Sequence, residues 1–273
     1  RRLAGLGIRT PADLPLLGAG ERRLVGIHQP DLLPYSGFWF KMAVSDVFVV
    51  AVHDQFQKHG YQRRVTMRER WCSHELVGKP ALLPISSVVV RDGWQGRLCD
   101  VVRGRYAGSR HWRTRGVDLL ERISGCAVAG EQTLDQVNLA LVGVVRELLG
   151  ITTPLVVTAP PVHSGVARLV EQVGLVGGTG YLSGTGGAAY MGSDPAAPFV
   201  AAGLDLVWSD HQMSTGDSIV SVLLDEDEPH VHRSGPPPAL TGFGNEALDV
   251  AECVTGDAFC HTSWWRGAVR TLG

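Results

Sequence analysis

Short apolar, β-branched blocks alternate along this chain with longer stretches whose apolar positions recur every three or four residues. Leu24-Val25-Gly26-Ile27 reads as a buried strand running into His28-Gln29-Pro30 and a proline-bounded loop to Pro34. Positions 37–44 carry apolar and aromatic residues at helical spacing, and 47–52 is an almost unbroken β-branched run of the kind buried on both faces of a sheet. Strand, helix, strand predicts a βαβ opening. Residues 55–91 are more charged, with strand-like pieces at 81–85 and 88–90, and predict a β-rich excursion. Helical spacing returns over 95–106, 117–123 and 134–149, the last with Thr133 or Asp135 near its start and Gly150 just past its end. Strands at 155–157, 181–183 and 204–208 then alternate with helices at 166–173, 196–202 and 218–224. The predicted class is α/β: a largely parallel central sheet with helices on both faces and the β-rich excursion in the first half. Residues 1–23 read as an arm of short elements, 24–230 as one domain, and 231–273, with Pro236-Pro237-Pro238, as an irregular tail packed on or beside it.

Composition narrows the function classes. With 273 residues, 44% hydrophobic and 19% charged, the chain can bury a sizeable core. Twenty-five basic residues against 27 acidic ones leave no electrostatic footprint for nucleic acid or an anionic membrane. No apolar run reaches the roughly 18 residues of a membrane span, and the first residues lack the apolar core of a secretory signal. Five scattered cysteines without a CxxC pair read as free thiols in a reducing cytoplasm. His211 and the run from Asp225 to His232 offer imidazoles and carboxylates, but a solvated acidic turn explains them as well, so neither a metal nor another cofactor is expected.

Four segments carry more specific information. Ile27-His28-Gln29-Pro30-Asp31-Leu32-Leu33-Pro34-Tyr35-Ser36-Gly37-Phe38-Trp39 resembles the opening signature of the WbqC-like family. Gln55-Phe56-Gln57-Lys58, with Gln62-Arg63-Arg64 after it, is similar to that family's Gln-Phe-x-Lys element. Tyr181-Leu182-Ser183-Gly184-Thr185-Gly186-Gly187 is similar to its Tyr-Leu-Ser-Gly-x-Gly-Gly run, and Asp217-Ser218-Ile219 lies near its Ser-Ile-x-Asp helix. The sequence departs from the pattern where Val52-His53 replace two acidic residues, Arg63-Arg64 stand for an Asn-Arg pair and Ser221 replaces an aspartate, so any acidic role is either altered or moved to Asp54 or Asp217. The resemblance implies a setting in polysaccharide or natural-product assembly, with amide formation on amino sugars or related amines as the implied activity.

The chemistry expected of these residues follows from their positions. His28 ends a core strand, where open α/β sheets bind ligands, so it is a candidate general base, with Gln29 orienting a substrate carbonyl or amine and Asp54 as a further acid/base group. Lys58 and Arg64, with Tyr61 interleaved, suit an anionic substrate end. In a regular strand Tyr61, Arg63 and Val65 share one face and Gln62 and Arg64 the other. Ser183, Gly184, Gly186 and Gly187 follow a strand, where glycines let backbone N–H groups face an anion, but they match neither a dinucleotide fingerprint nor a P-loop. The expected function is transfer of an acyl or aminoacyl group onto a small-molecule amine from an activated donor, with an aminoacyl-tRNA donor as the one opening for nucleic acid. Two alternatives stand beside it: a non-catalytic binding or scaffold protein, and a nucleotide-dependent activating enzyme. The oligomeric state, donor and acceptor are not written in the sequence.

Overall fold

The computed structural model describes residues 6–126, 132–184, 187, 191–209, 211 and 213–227, and the backbone of 239–241 and 247–249. In chain order, β1 (Leu24–His28), α1 (Ser36–Val44) and β2 (Val47–Val50) form the opening unit. A hairpin of β3 (Arg64–Met67) and β4 (Arg70–Ser73) follows, then α2 (Trp94–Tyr106), α3 (Val117–Ser124) and α4 (Leu134–Leu148). The second half alternates β5 (Leu155–Val156), α5 (Gly165–Leu175), β6 (Gly180–Gly184), α6 (Ala197–Ala201), β7 (Asp205–Ser209) and α7 (Ile219–Asp225), and ends in β8 (Ala239–Thr241) and β9 (Ala247–Asp249).

The central sheet runs β5-β2-β1-β6-β7, all parallel, with β8 and β9 added antiparallel at the β7 edge. From β1 the chain winds outward through β2 to β5, then returns to lay β6 on the other side of β1. That reversal makes the β1/β6 boundary a topological switch point. Period-two alternation explains why the strands are apolar throughout: Leu24, Phe48, Leu182 and Val207 pack on one face, with residues of α1, α2, α3, α4 and α7. Val25, Val49, Tyr181 and Leu206 pack on the other, with α5 and α6. The turn between α1 and β2 packs directly on β1 because Gly26 has no side chain: a Cβ there would fall 2.5 Å from Ser45 Oγ and 2.9 Å from the Phe48 ring.

The predicted α/β architecture is present, and most element bounds differ from expectation by one or two residues. Segments 81–85 and 88–90 are the main exceptions. Ile85–Ser87 is a 3-10 turn, and Val89 and Val90 make only isolated bridges, to Thr133 and Leu76. Pro80 and Pro84 remove two backbone donors that a continuous strand would need. Residues 61–63 belong to a turn before β3 rather than to a strand, since Arg63 N and Arg64 N both bond Gly60 O. Part of the tail expected to be irregular, β8 and β9, extends the sheet. The arm before β1 contributes a 3-10 turn at Pro11–Asp13 and a bridge from Arg9 to Val156 that covers the β5 edge. Among the described residues no helix is long and apolar enough to cross a membrane.

Candidate functional site

The β1–β6 ladder ends at Gly26 opposite Leu182, whereas the β1–β2 ladder continues to His28 opposite Val50. Beyond Gly26 the two central strands therefore part, and a cleft of about 250 Å³ opens at the carboxyl ends of β1 and β6. His28, Lys41, Tyr181, Ser183 and His211 supply most of its polar lining, with Phe38 and Met213 as apolar wall.

His28 closes β1 with its ring edge-on to Phe38, 5.2 Å between centroids. Its Nδ1 lies 3.0 Å from Gln29 O. A carbonyl can only accept, so this contact holds the proton on Nδ1 and leaves Nε2 with the basic lone pair. Burial, reinforced by the nearby Lys41 charge, pulls the imidazole down to about 4, so the ring is neutral at pH 7. Asp31 Oδ2 stands 3.6 Å from Nδ1, and burial pushes this carboxyl well above its ordinary value. Burial thus acts on both partners in the direction of the neutral form, which weakens any ion pair between them.

Lys41 is the group that the sequence reading missed. It sits in the last turns of α1, 8% exposed, with Nζ donating to Ile27 O at 2.8 Å and lying 3.4 Å from Tyr181 Oη. Ile27 is the first residue of β1 beyond the β6 ladder, so the ammonium reaches into the gap between the two strands. Burial alone pulls it from 10.5 to about 7. A signal was available: the chain holds only three lysines, and this one interrupts the apolar run Phe38-Trp39-Phe40-Lys41-Met42-Ala43-Val44.

Behind the cleft, buried amides fix the loops. Asn138 of α4, wholly buried, donates to Pro30 O and Gln62 O, both at 2.8 Å, and its Oδ1 lies 2.9 Å from His74 Nε2. Gln62 Nε2 in turn donates to Gln29 Oε1 at 2.6 Å, so Gln29 keeps its NH2 as the free end, a donor suited to a carbonyl. Ser218 Oγ donates to Leu33 O at 2.7 Å and Ile219 N to Pro34 O at 3.0 Å, so the start of α7 pins the same loop. Of the four sequence segments singled out above, the first and third line the crevice, while Gln62 and Ser218-Ile219 of the other two brace the loop behind it.

The remaining candidate residues are distributed as follows. Ser183 and Gly184 line the cleft, and so does Gly187, where a Cβ would lie 2.2 Å from Ser183 Oγ. Gly186 lies outside the described residues. Asp54, in the turn after β2, is ion-paired with Arg168 of α5. Lys58 is exposed. Tyr61 packs between Tyr35, a lining residue, and Trp71, while the Arg64 guanidinium lies 4.1 Å over the Trp71 ring. Tyr61 and Arg64 therefore form a rim patch beside the cleft rather than part of its floor. Ser221 is buried against Tyr106 Oη at 2.7 Å, and Asp217 accepts from Glu69 N. His211 stacks on Phe40 and faces the cleft; Asp225 and Asp227 pair with Arg68 and Arg110; His230 and His232 lie outside the described residues. Among the described residues no group of three histidines, cysteines or carboxylates converges to hold a metal. Cys72, Cys99 and Cys126 are free, and burial pushes the Cys72 thiol up and Cys126 to about 11, away from thiolate chemistry. Cys253 and Cys260 lie outside the described residues.

Sheet order and cleft together define a doubly wound α/β protein with a small-molecule-sized crevice at its switch point. The model of the WbqC-like protein family matches residues 29–215, a span that holds every lining residue described above except His28, and the chain belongs to that family. No curated protein and no solved structure matches it.

Proposed function

We propose that this protein is a biosynthetic transferase that joins an acyl or aminoacyl group to the amine of a small molecule, such as an amino sugar, at the switch-point cleft. The observation that carries the reading is a neutral histidine in that cleft with its Nδ1 proton anchored on a backbone carbonyl. Such a ring accepts a proton at Nε2 at neutral pH without first having to lose one. In the reaction the amine nitrogen attacks the donor carbonyl, forming the C–N bond as the bond to the leaving group breaks. His28 Nε2 takes the proton from nitrogen and returns it to the departing thiol or alcohol, so the sum needs no oxidant or reductant. The Ser183 oxygen, whose proton is donated to Gly184 O, accepts from the amine and positions it, Gln29 braces the His28 loop from behind the lining, and the Tyr61–Arg64 rim suits the distal part of a substrate. The family's implied setting among sugar and natural-product assembly genes agrees with an amine acceptor.

The test is turnover of acyl-CoA and aminoacyl donors with amino-sugar acceptors by the wild-type chain and by His28→Gln. The variant is expected to lose about 100-fold or more in kcat while keeping its fold by circular dichroism. Equal turnover by the two proteins would remove the base role.

A further inference from the structure

Lys41 has no part in the acyl-transfer chemistry. Its chemistry is unusual for a buried group: an ammonium can only donate, and taking it out of water without a counter-ion is costly. The described residues lining the cleft include no aspartate or glutamate, and Lys41 is their only lysine or arginine. Nζ has three donors, of which Ile27 O takes one at 2.8 Å and Tyr181 Oη a second, weakly, at 3.4 Å. A second polar group in the same cleft is also unspent. His211 places Nε2 3.0 Å from Ser36 Oγ, while its buried Nδ1 has no hydrogen-bond partner among the described residues. Across from them, Gly187 leaves the loop backbone close against Ser183 Oγ.

We propose that the switch-point cleft is an oxyanion pocket, in which Lys41 Nζ and His211 Nδ1 receive a carboxylate or phosphate group of the ligand, beside the Ser183 hydroxyl, whose own proton goes to Gly184 O at 3.1 Å. The inference rests on the same cleft being the ligand site, but not on the acyl chemistry. It places the anion at the floor, on the chain's one buried lysine, whereas Lys58 and Arg64 are at the surface or rim. The ligand supplies a counter-ion that the described lining of the cleft does not, so binding and protonation of Lys41 reinforce each other. The titratable groups around Nζ are His28 at the end of β1, Tyr181 on β6, Tyr35 at the head of α1, His211 after β7, and Asp31 in the loop. Both histidines are pulled down to about 4 by burial and stay neutral near pH 7, and burial holds Asp31 towards its neutral form. Lys41, pulled to about 7, changes charge near pH 7.

With three lysines in the chain, lysine labelled with 13C at Cε gives one resonance each for Lys41, Lys58 and Lys79, assigned with Lys41→Arg. The full chain is titrated with inorganic phosphate and, separately, with acetate, across pH 6 to 9. Saturable binding of one probe should raise the Lys41 titration midpoint by a unit or more. That corresponds to at least tenfold preference for the ammonium, with affinity falling about tenfold per pH unit above the midpoint of the free protein. Phosphate alone acting identifies a phosphorylated ligand, and acetate alone a carboxylate. His211→Phe should weaken the effective probe several-fold while keeping the stack on Phe40. A Lys41 midpoint unmoved by either probe, or moved no more than those of Lys58 and Lys79, would overturn the pocket. Turnover with neutral substrates alongside that result would leave the transferase reading standing, and anion binding without turnover would leave the pocket standing.

Discussion

Two cavities share the 28–35 segment as a wall, and they resemble each other until their polar groups are followed one by one. The switch-point cleft measures about 250 Å³; the second, between β4 and α2, about 350 Å³ with Leu32, His74, Trp94 and Arg105 in its lining. Each holds a histidine that burial pulls down to about 4. In the second cavity, however, the histidine and the charged side chains all have partners. His74 bonds Asn138, Arg97 donates to Arg91 O and Asp92 O, Arg105 donates to Met67 O, Arg70 O and Trp71 O, and Asp100 pairs with Arg103. In the cleft, Lys41 has no lining carboxylate among the described residues and His211 keeps an unbonded nitrogen. A cavity and a depressed histidine accompany ordinary architecture as readily as chemistry. Donors left without acceptors are what separate the two.

The contrast breaks most visibly at Asn138, which binds the second cavity to the loop behind the cleft. Asn138→Leu leaves Pro30 O, Gln62 O and His74 Nε2 buried without partners and is expected to cost about 4 kcal/mol, read from urea unfolding. A loss below about 1 kcal/mol would mean that these bonds are not what holds the loop. A smaller effect separates the cavities by pH. His28, His74 and His211 titrate lower in the folded chain than the ordinary 6.5, so the unfolded chain binds more protons between pH 6.5 and 4. Stability should therefore rise with pH across that window, opposed in part by Asp31, whose shift has the opposite sign. Lys41 adds an alkaline limb: its folded value of about 7 against 10.5 makes stability climb by about 2 kcal/mol between pH 7 and 9, opposed in part towards pH 9 by the raised thiols of Cys72 and Cys126. Lys41→Met should abolish that limb and leave Tm at pH 7 unchanged or higher, since an unmatched buried cation is replaced by an apolar chain of similar length. A sharp fall in Tm would instead make Lys41 a structural residue of α1.

Much of this fold was legible because its strands are buried on both faces and therefore apolar without interruption, as at Val47-Phe48-Val49-Val50. His28, Ser183, Gly184 and Gly187 stand out locally, at strand ends and in a glycine loop, and they line the cleft. What was not legible depends on register between distant segments. Only the pairing of β1 with β6, whose ladder stops at Leu182, shows that Lys41 points into a gap rather than out to solvent. The Asp54–Arg168 pair, 114 residues apart, and the triple role of Asn138 are equally non-local. Pro80 and Pro84 are visible in the sequence and, by removing backbone donors, break the strand pattern at 81–85.

The most direct test of the switch-point assignment is a thermal-shift screen of the chain against nucleotide sugars, nucleotides, acyl-CoAs and aminoacyl donors, repeated with His28→Gln and with Arg97→Gln from the second cavity. The account expects a stabilising ligand whose shift is lost in His28→Gln and kept in Arg97→Gln. A ligand whose shift survives His28→Gln and disappears with Arg97→Gln would move the functional site to the second cavity and contradict it.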